Sequence, residues 1–118
     1  MKPKLNTTEM FFVLRPSSIH GIGVFALQTI KKNTRLRLFA KGDRIRYLKS
    51  SSSLKDMLAY CVPIGDGYYM CPADFGRMSV GWHLNHSDTP NAFHKNYIYY
   101  AGRDIRKGEE ITIDYGTL

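Results

Sequence analysis

Long apolar runs are missing from this chain. The first sixteen residues offer only Met10-Phe11-Phe12-Val13-Leu14 as a continuous apolar stretch, far short of the roughly 20 residues that cross a bilayer and too short for the core of a signal peptide. A soluble intracellular protein with no membrane contact is expected, in a nucleus, a nucleoid or the cytoplasm. Cysteine is scarce as well. Cys61 and Cys71, ten positions apart, are the only two, which excludes a disulfide framework or a recognisable zinc site and leaves two buried, reduced thiols as the expectation. Repetitive and polar low-complexity tracts are absent. With 43% hydrophobic and 23% charged residues, the composition is that of a globular protein rather than a disordered one.

Acidic residues are few: 10 Asp and Glu stand against 17 Lys and Arg, for a formal charge of +7. The imbalance is local. Lys31, Lys32, Arg35, Arg37, Lys41, Arg44, Arg46 and Lys49 face only Asp43, so the stretch Lys31–Lys49 carries +7 by itself and the remainder is neutral. Concentrated positive charge can attract DNA or an acidic partner; it also serves a solvated face, and composition does not choose between them.

A length of 118 residues is that of one domain, 1–118, with a single compact core. Strand signals dominate: Phe11 to Leu14, Gly23 to Leu27, Leu36 to Ala40, Tyr68 to Cys71, Tyr97 to Ala101 and Ile111 to Tyr115 are short, rich in β-branched or aromatic residues, and bounded by turn formers. In the last of these, strict alternation puts Ile111, Ile113 and Tyr115 on one inward face. One short helix is expected where Leu54, Met57, Leu58 and Cys61 recur at helical spacing behind a Ser53 cap, with Pro63 and Gly65 ending it. Ile30-Lys31-Lys32-Asn33 echoes Ile105-Arg106-Lys107-Gly108, each a basic turn feeding a strand, over too few positions for a solenoid repeat.

Several familiar chemistries are also absent. His20-Gly21-Ile22-Gly23 lacks the third glycine and following helix of a dinucleotide fingerprint. No G-x-S-x-G elbow occurs. His83 and His86 have no compact set of further ligands with which to form a metal site. Glu109 and Glu110 are adjacent, so they point apart and cannot flank one bond as paired glycosidase carboxylates do.

What is present is an ordered set of three segments: the G-x-G at Gly21-Ile22-Gly23; Asn85-His86-Ser87-Asp88-Thr89-Pro90-Asn91; and Gly108-Glu109-Glu110-Ile111-Thr112-Ile113-Asp114-Tyr115-Gly116. Together they resemble the SET domain of protein lysine methyltransferases. The resemblance implies a mainly β fold of several small sheets, with a knot-like threading of the C-terminal strand beneath the Asn-His-Ser loop. It implies S-adenosylmethionine as cofactor, held by Gly21, Ile22, Gly23, Asn85 and His86, with no metal. Tyr115 then takes the catalytic position, where a lysine channel meets the cofactor sulfonium.

The chemistry makes sense of an aromatic hydroxyl there. Lysine, near pKa 10.4 in water, must be neutral to attack carbon. A narrow apolar channel disfavours the ammonium and aligns the amine, while a phenolic oxygen fixes geometry and faces positive charge. The chain departs from the family pattern at Trp82-His83, where Arg-Phe is common, and at Ala40, where an aromatic is common. It also stops two residues after Gly116, before any cysteine-rich zinc-binding tail that closes the site in many relatives. The expected function is therefore a minimal protein-lysine methyltransferase acting on a histone-like or chromatin-associated protein, with a homodimer as one way to cover the site. The alternative is a non-catalytic binding module on the same fold, holding DNA or an acidic partner through Lys31–Lys49.

Overall fold

The structure, a computed structural model, describes residues 11–40, 45–49 and 61–118. The strands among them are β1 (Phe12–Pro16), β2 (Ile22–Ala26), β3 (Arg35–Leu36), β4 (Ile45–Lys49), β5 (Val62–Gly65), β6 (Tyr68–Pro72), β7 (Asn85–His86), β8 (Ala92–Lys95), β9 (Ile98–Ala101) and β10 (Glu110–Ile113). They form three small sheets, ordered β1-β2-β10-β7, β3-β9-β8 and β4-β6-β5. The helical elements described are 3₁₀ turns: Phe75–Arg77, Val80–His83 and Tyr115–Thr117. The fold is mainly β, as expected. Of the helix expected over Leu54, Met57, Leu58 and Cys61, all but Cys61 lies outside the described residues. No helix among the described residues is long and apolar enough to cross a membrane.

Three expected elements are corrected by local hydrogen bonding. Leu36 to Ala40 does not stay extended in a sheet: the Leu38 N–H turns back to the Leu36 carbonyl at 3.0 Å and the Ala40 N–H goes to Ser79 Oγ at 2.9 Å. Tyr97 belongs to a turn, since Asn96 and Tyr97 both have left-handed backbones, φ 51° and 63°, the geometry of a two-residue hairpin loop between Lys95 and Ile98. Asp66 and Gly67 do the same, φ 53° and 76°. The Asp-Gly turn thus makes Val62–Gly65 a strand paired with β6 rather than a helix end.

The two echoing basic segments meet. Ile30 and Ile105 exchange backbone hydrogen bonds, each 2.8 Å, and their side chains are almost wholly buried. They join Val24, Leu36, Leu38, Ala101, Ile111 and Ile113 in one core cluster, where burying an aliphatic side chain of this size contributes roughly 1.5–3 kcal/mol.

At the C-terminal end, β10 runs antiparallel to β2 and parallel to β7, with Thr112 opposite Asn85 and Ile113 opposite His86. Asn91 extends this arrangement with its side chain: the Thr112 N–H donates to its Oδ1 at 2.9 Å, and its Nδ2 donates to the Glu110 carbonyl at 2.8 Å. A buried amide thereby hydrogen-bonds two backbone groups of the strand. Burial on β10 is not alternating, because Thr112 is buried beside Ile111 and Ile113. The strand stops at Ile113, and Asp114 Oδ1 accepts from the Gly116 N–H at 2.8 Å to start the 3₁₀ turn. Tyr115 therefore leaves the inward face on which alternation put it and is 40% exposed.

Candidate active site

One cavity of about 690 Å³ collects residues from both ends of the chain: Gly21, Ile22, Asn85, His86 and Tyr115 all line it, with Phe39, Trp82 and His83 among its other walls. Its size is that of a small-molecule site. Gly23, the other glycine of the G-x-G, does not line it.

The first wall is the loop into β2. The Ser17 N–H bonds the Gly21 carbonyl at 2.8 Å, while Ser17 Oγ accepts from the Ile19 N–H at 3.0 Å. This tight reversal leaves Gly21 at φ +47°, with nothing within 4 Å of where a Cβ would stand, so the residue is free of side-chain bulk on the cavity side. At Gly23 the space is taken. A Cβ there would lie 2.7 Å from the Glu110 carboxyl carbon and 3.1 Å from Asn85 Nδ2.

Glu110 is the residue beside the cavity that sequence reasoning passed over. Its Oε1 accepts from Ser17 Oγ at 2.6 Å and its Oε2 from Asn85 Nδ2 at 2.8 Å; Asn85 Nδ2 also donates to the His20 carbonyl at 3.0 Å. The carboxylate thus ties the glycine loop to the Asn-His-Ser segment. Glu109 does turn away from it, to an ion pair with Arg103 at 2.8 Å; the Arg103 hydrogen bond, helped by the Arg106 N–H, holds its carboxyl below the usual range. Gly23→Ala is expected to cost about 1–3 kcal/mol by overpacking this junction, read as a lowered Tm, whereas Gly21→Ala meets no atom and pays only for its left-handed backbone.

His86 and Tyr115 are locked together. The Tyr115 N–H donates to His86 Nδ1 at 3.0 Å, so the ring proton sits on Nε2, which faces Asp88 Oδ1 at 2.8 Å. The two rings pack with centroids 5.3 Å apart. Tyr115 Oη donates to the Leu84 carbonyl. Burial, with the Glu110 charge second, raises the phenol pKa above its ordinary value, so this hydroxyl keeps its proton and is unsuited to act as a base at neutral pH.

Cys61, expected to be buried, is only half-buried and stands in the cavity wall, while Cys71 is fully buried. Burial and the neighbouring Cys71 thiol push the Cys61 thiol up to about 12, which keeps Cys61 inert as a nucleophile. His83 also lines the cavity, and burial lowers its pKa. Among the described residues no group of three or more His, Cys, Asp or Glu could hold a metal ion.

Small sheets that bring a glycine loop, an Asn-His pair and a C-terminal tyrosine to one cavity define a class. The family model of the SET domain matches residues 21–116, and the chain belongs to that family. It is 31% identical to the H3 lysine-4 specific histone-lysine N-methyltransferase of Schizosaccharomyces pombe, over 85% of this chain and 12% of that protein. It is also 31% identical to a histone-lysine N-methyltransferase of Oryza sativa subsp. japonica, over 84% and 11%. The chain thus spans about a tenth of the length of the curated relatives it matches. A solved structure of a candidate histone methyltransferase from Plasmodium falciparum superposes with a TM-score of 0.58 at 27% identity, covering 91% of this chain and 94% of that one.

Proposed function

We propose that this SET domain transfers methyl groups from S-adenosylmethionine to a lysine side chain of a protein, with a histone as the substrate class that the relatives' names suggest. One observation carries the reading: Tyr115 and the Gly21-Asn85-His86 wall share a single cavity. The cavity suits such a cofactor in size, in the open face above Gly21, and in the aromatic walls of Phe39, Trp82 and Tyr115, which favour a cationic ligand. Gly21, Ile22, Asn85 and His86 would hold it, with Gly23 acting from behind by making room for Glu110. S-adenosylmethionine, when bound, supplies a methyl group on a positive sulfur.

This chain's residues would supply position and environment. Phe39, Tyr99, Trp82 and Leu118 line the cavity and disfavour a charged amine by desolvation. Tyr115 Oη, its proton committed to the Leu84 carbonyl, presents its oxygen lone pairs to positive charge and to the arriving amine. That anchored hydroxyl supports an enzyme over a binding module. Transfer of labelled methyl groups to histones tests the reading; no transfer, together with no heat on titrating either the cofactor or its demethylated product at millimolar concentration, would remove it.

Partners and place are part of the same proposal. Lys31, Lys32, Arg35 and Arg37 are exposed while Leu36 and Leu38, which alternate with the two arginines, are buried, a charged face that could hold DNA as well as keep an enzyme at chromatin. Duplex DNA binding is expected to weaken steeply with salt. Reversing Arg35 and Arg37 to Glu should remove most of it with little change in Tm, since neither side chain is in the core; salt-independent binding would exclude this face. Ile19 and Ile22, 50% and 51% exposed at the cavity wall, are the surface a second copy would cover, and sedimentation at micromolar concentration would show it.

A further inference from the structure

Glu110 carries a charge that no described cation neutralises. Its two oxygens take neutral donors only, Ser17 Oγ at 2.6 Å and Asn85 Nδ2 at 2.8 Å, and the ion pairs among the described residues involve other carboxylates: Asp88, Asp114 and Glu109. The carboxylate lies directly behind the cavity. Asn85, which it contacts, is 7% exposed and lines that cavity, and the backbone of Gly23 passes too close to the carboxyl to admit a Cβ. Neutral hydrogen bonds solvate such a charge without cancelling its field, and the field acts through partly buried protein with little screening.

The other acids near the cavity are placed differently. Asp88 has a 96% exposed side chain and Asp114 a 44% exposed one, so solvent screens both. The field of Glu110 does reach the cavity wall, because it is one of the two causes that raise the Tyr115 phenol.

We infer that Glu110 is a specificity-determining residue that makes the cavity favour a cationic ligand over its neutral counterpart. This rests on the cofactor reading above. S-adenosylmethionine carries one positive charge more than its demethylated product, because the sulfonium becomes a neutral thioether. A fixed negative charge behind Asn85 therefore holds the cofactor more tightly than the product and eases product release. The hydrogen bonds of Glu110 to Ser17 and Asn85 serve both ligands alike; only its charge separates them.

Titration calorimetry with S-adenosylmethionine and with its demethylated product, on wild type, Glu110→Gln and Ser17→Ala, tests this. Wild type is expected to bind the cationic ligand more tightly. Glu110→Gln should lower that preference by roughly an order of magnitude, the scale of one charge acting through several ångströms of protein. Ser17→Ala keeps the charge, so it should weaken both ligands equally and leave the ratio intact. Equal losses of both ligands in Glu110→Gln would reduce Glu110 to a structural tie and overturn the inference alone. A wild type with equal or reversed preference overturns it even where the Gln variant fails to fold. Binding of neither ligand by wild type would overturn the cofactor reading together with it.

Discussion

Tyr115→Phe is expected to lower methyl transfer by roughly two to four orders of magnitude, the range for losing one positioned polar group from a reacting centre. The ring stays. Its packing on His86, at 5.3 Å between centroids, and the bond from its N–H to His86 Nδ1 involve atoms that phenylalanine keeps, so the 3₁₀ turn should hold its place. The hydroxyl goes, and with it the donor to the Leu84 carbonyl, which costs about 1 kcal/mol of stability for a single hydrogen bond. Affinity for S-adenosylmethionine should change little, because the glycine loop, Asn85 and Glu110 are untouched. A residue that merely fills space would give a different pattern: a lower Tm and unchanged transfer. Measuring Tm, cofactor affinity and transfer on one variant separates the two, and unchanged transfer would sink the role assigned to Tyr115.

The sequence made this residue visible through its motif but put it in the wrong geometry. Alternation from Ile111 put Tyr115 on the inward face, yet alternation holds only while the strand lasts, and Asp114 ends it by capping the Gly116 N–H. The same kind of error displaced the strand expected at Leu36 to Ala40. Its side chains fit a strand, but its N–H groups found the Leu36 carbonyl two residues back and Ser79 far along the chain instead, and neither partner leaves a periodic trace. That Gly21, Ile22, Asn85 and His86 come together at one cavity was legible because motif spacing survives in the chain itself. Gly23 was legible as a glycine, but the group that leaves no room for a side chain there, a carboxylate 87 positions away, was not. Glu110 was set aside because two adjacent carboxylates cannot flank one bond. That reasoning was sound for Glu109 and Glu110 as a pair and said nothing of Glu110 alone. Asp66-Gly67, by contrast, was an available hairpin signal, overridden by the helical spacing that precedes it.

Asn91 was quoted as the end of a motif with no role, and the structure gives it one with a testable sign. It is 3% exposed, accepting from the Thr112 N–H and donating to the Glu110 carbonyl. Asn91→Asp changes no volume and keeps the acceptor, but it replaces the donor with a carboxylate oxygen facing a carbonyl oxygen. An uncompensated buried charge of this kind is expected to cost about 3–5 kcal/mol at neutral pH, a large fraction of the roughly 5–15 kcal/mol that holds an ordinary domain folded. Protonation repairs it, since the neutral acid can donate its O–H to the Glu110 carbonyl while still accepting from Thr112. The introduced carboxyl would therefore have a folded pKa raised above its unfolded value, near 3.9. For an acid shifted in that direction, the penalty is absent below the unfolded pKa. It grows by about 1.4 kcal/mol per pH unit as pH rises from there toward the folded pKa, then levels off. Wild type carries no titrating group at this position, so the stability gap between the two proteins should widen from pH 4 to pH 7. Asn91→Ala removes both hydrogen bonds at once and should show a gap that pH does not change. Denaturant melts of the three proteins at a series of pH values read these slopes. A constant gap for Asn91→Asp would mean that Asn91 acts only by filling space beside β10, and that the parallel pairing of β10 with β7 holds the C-terminal strand without it.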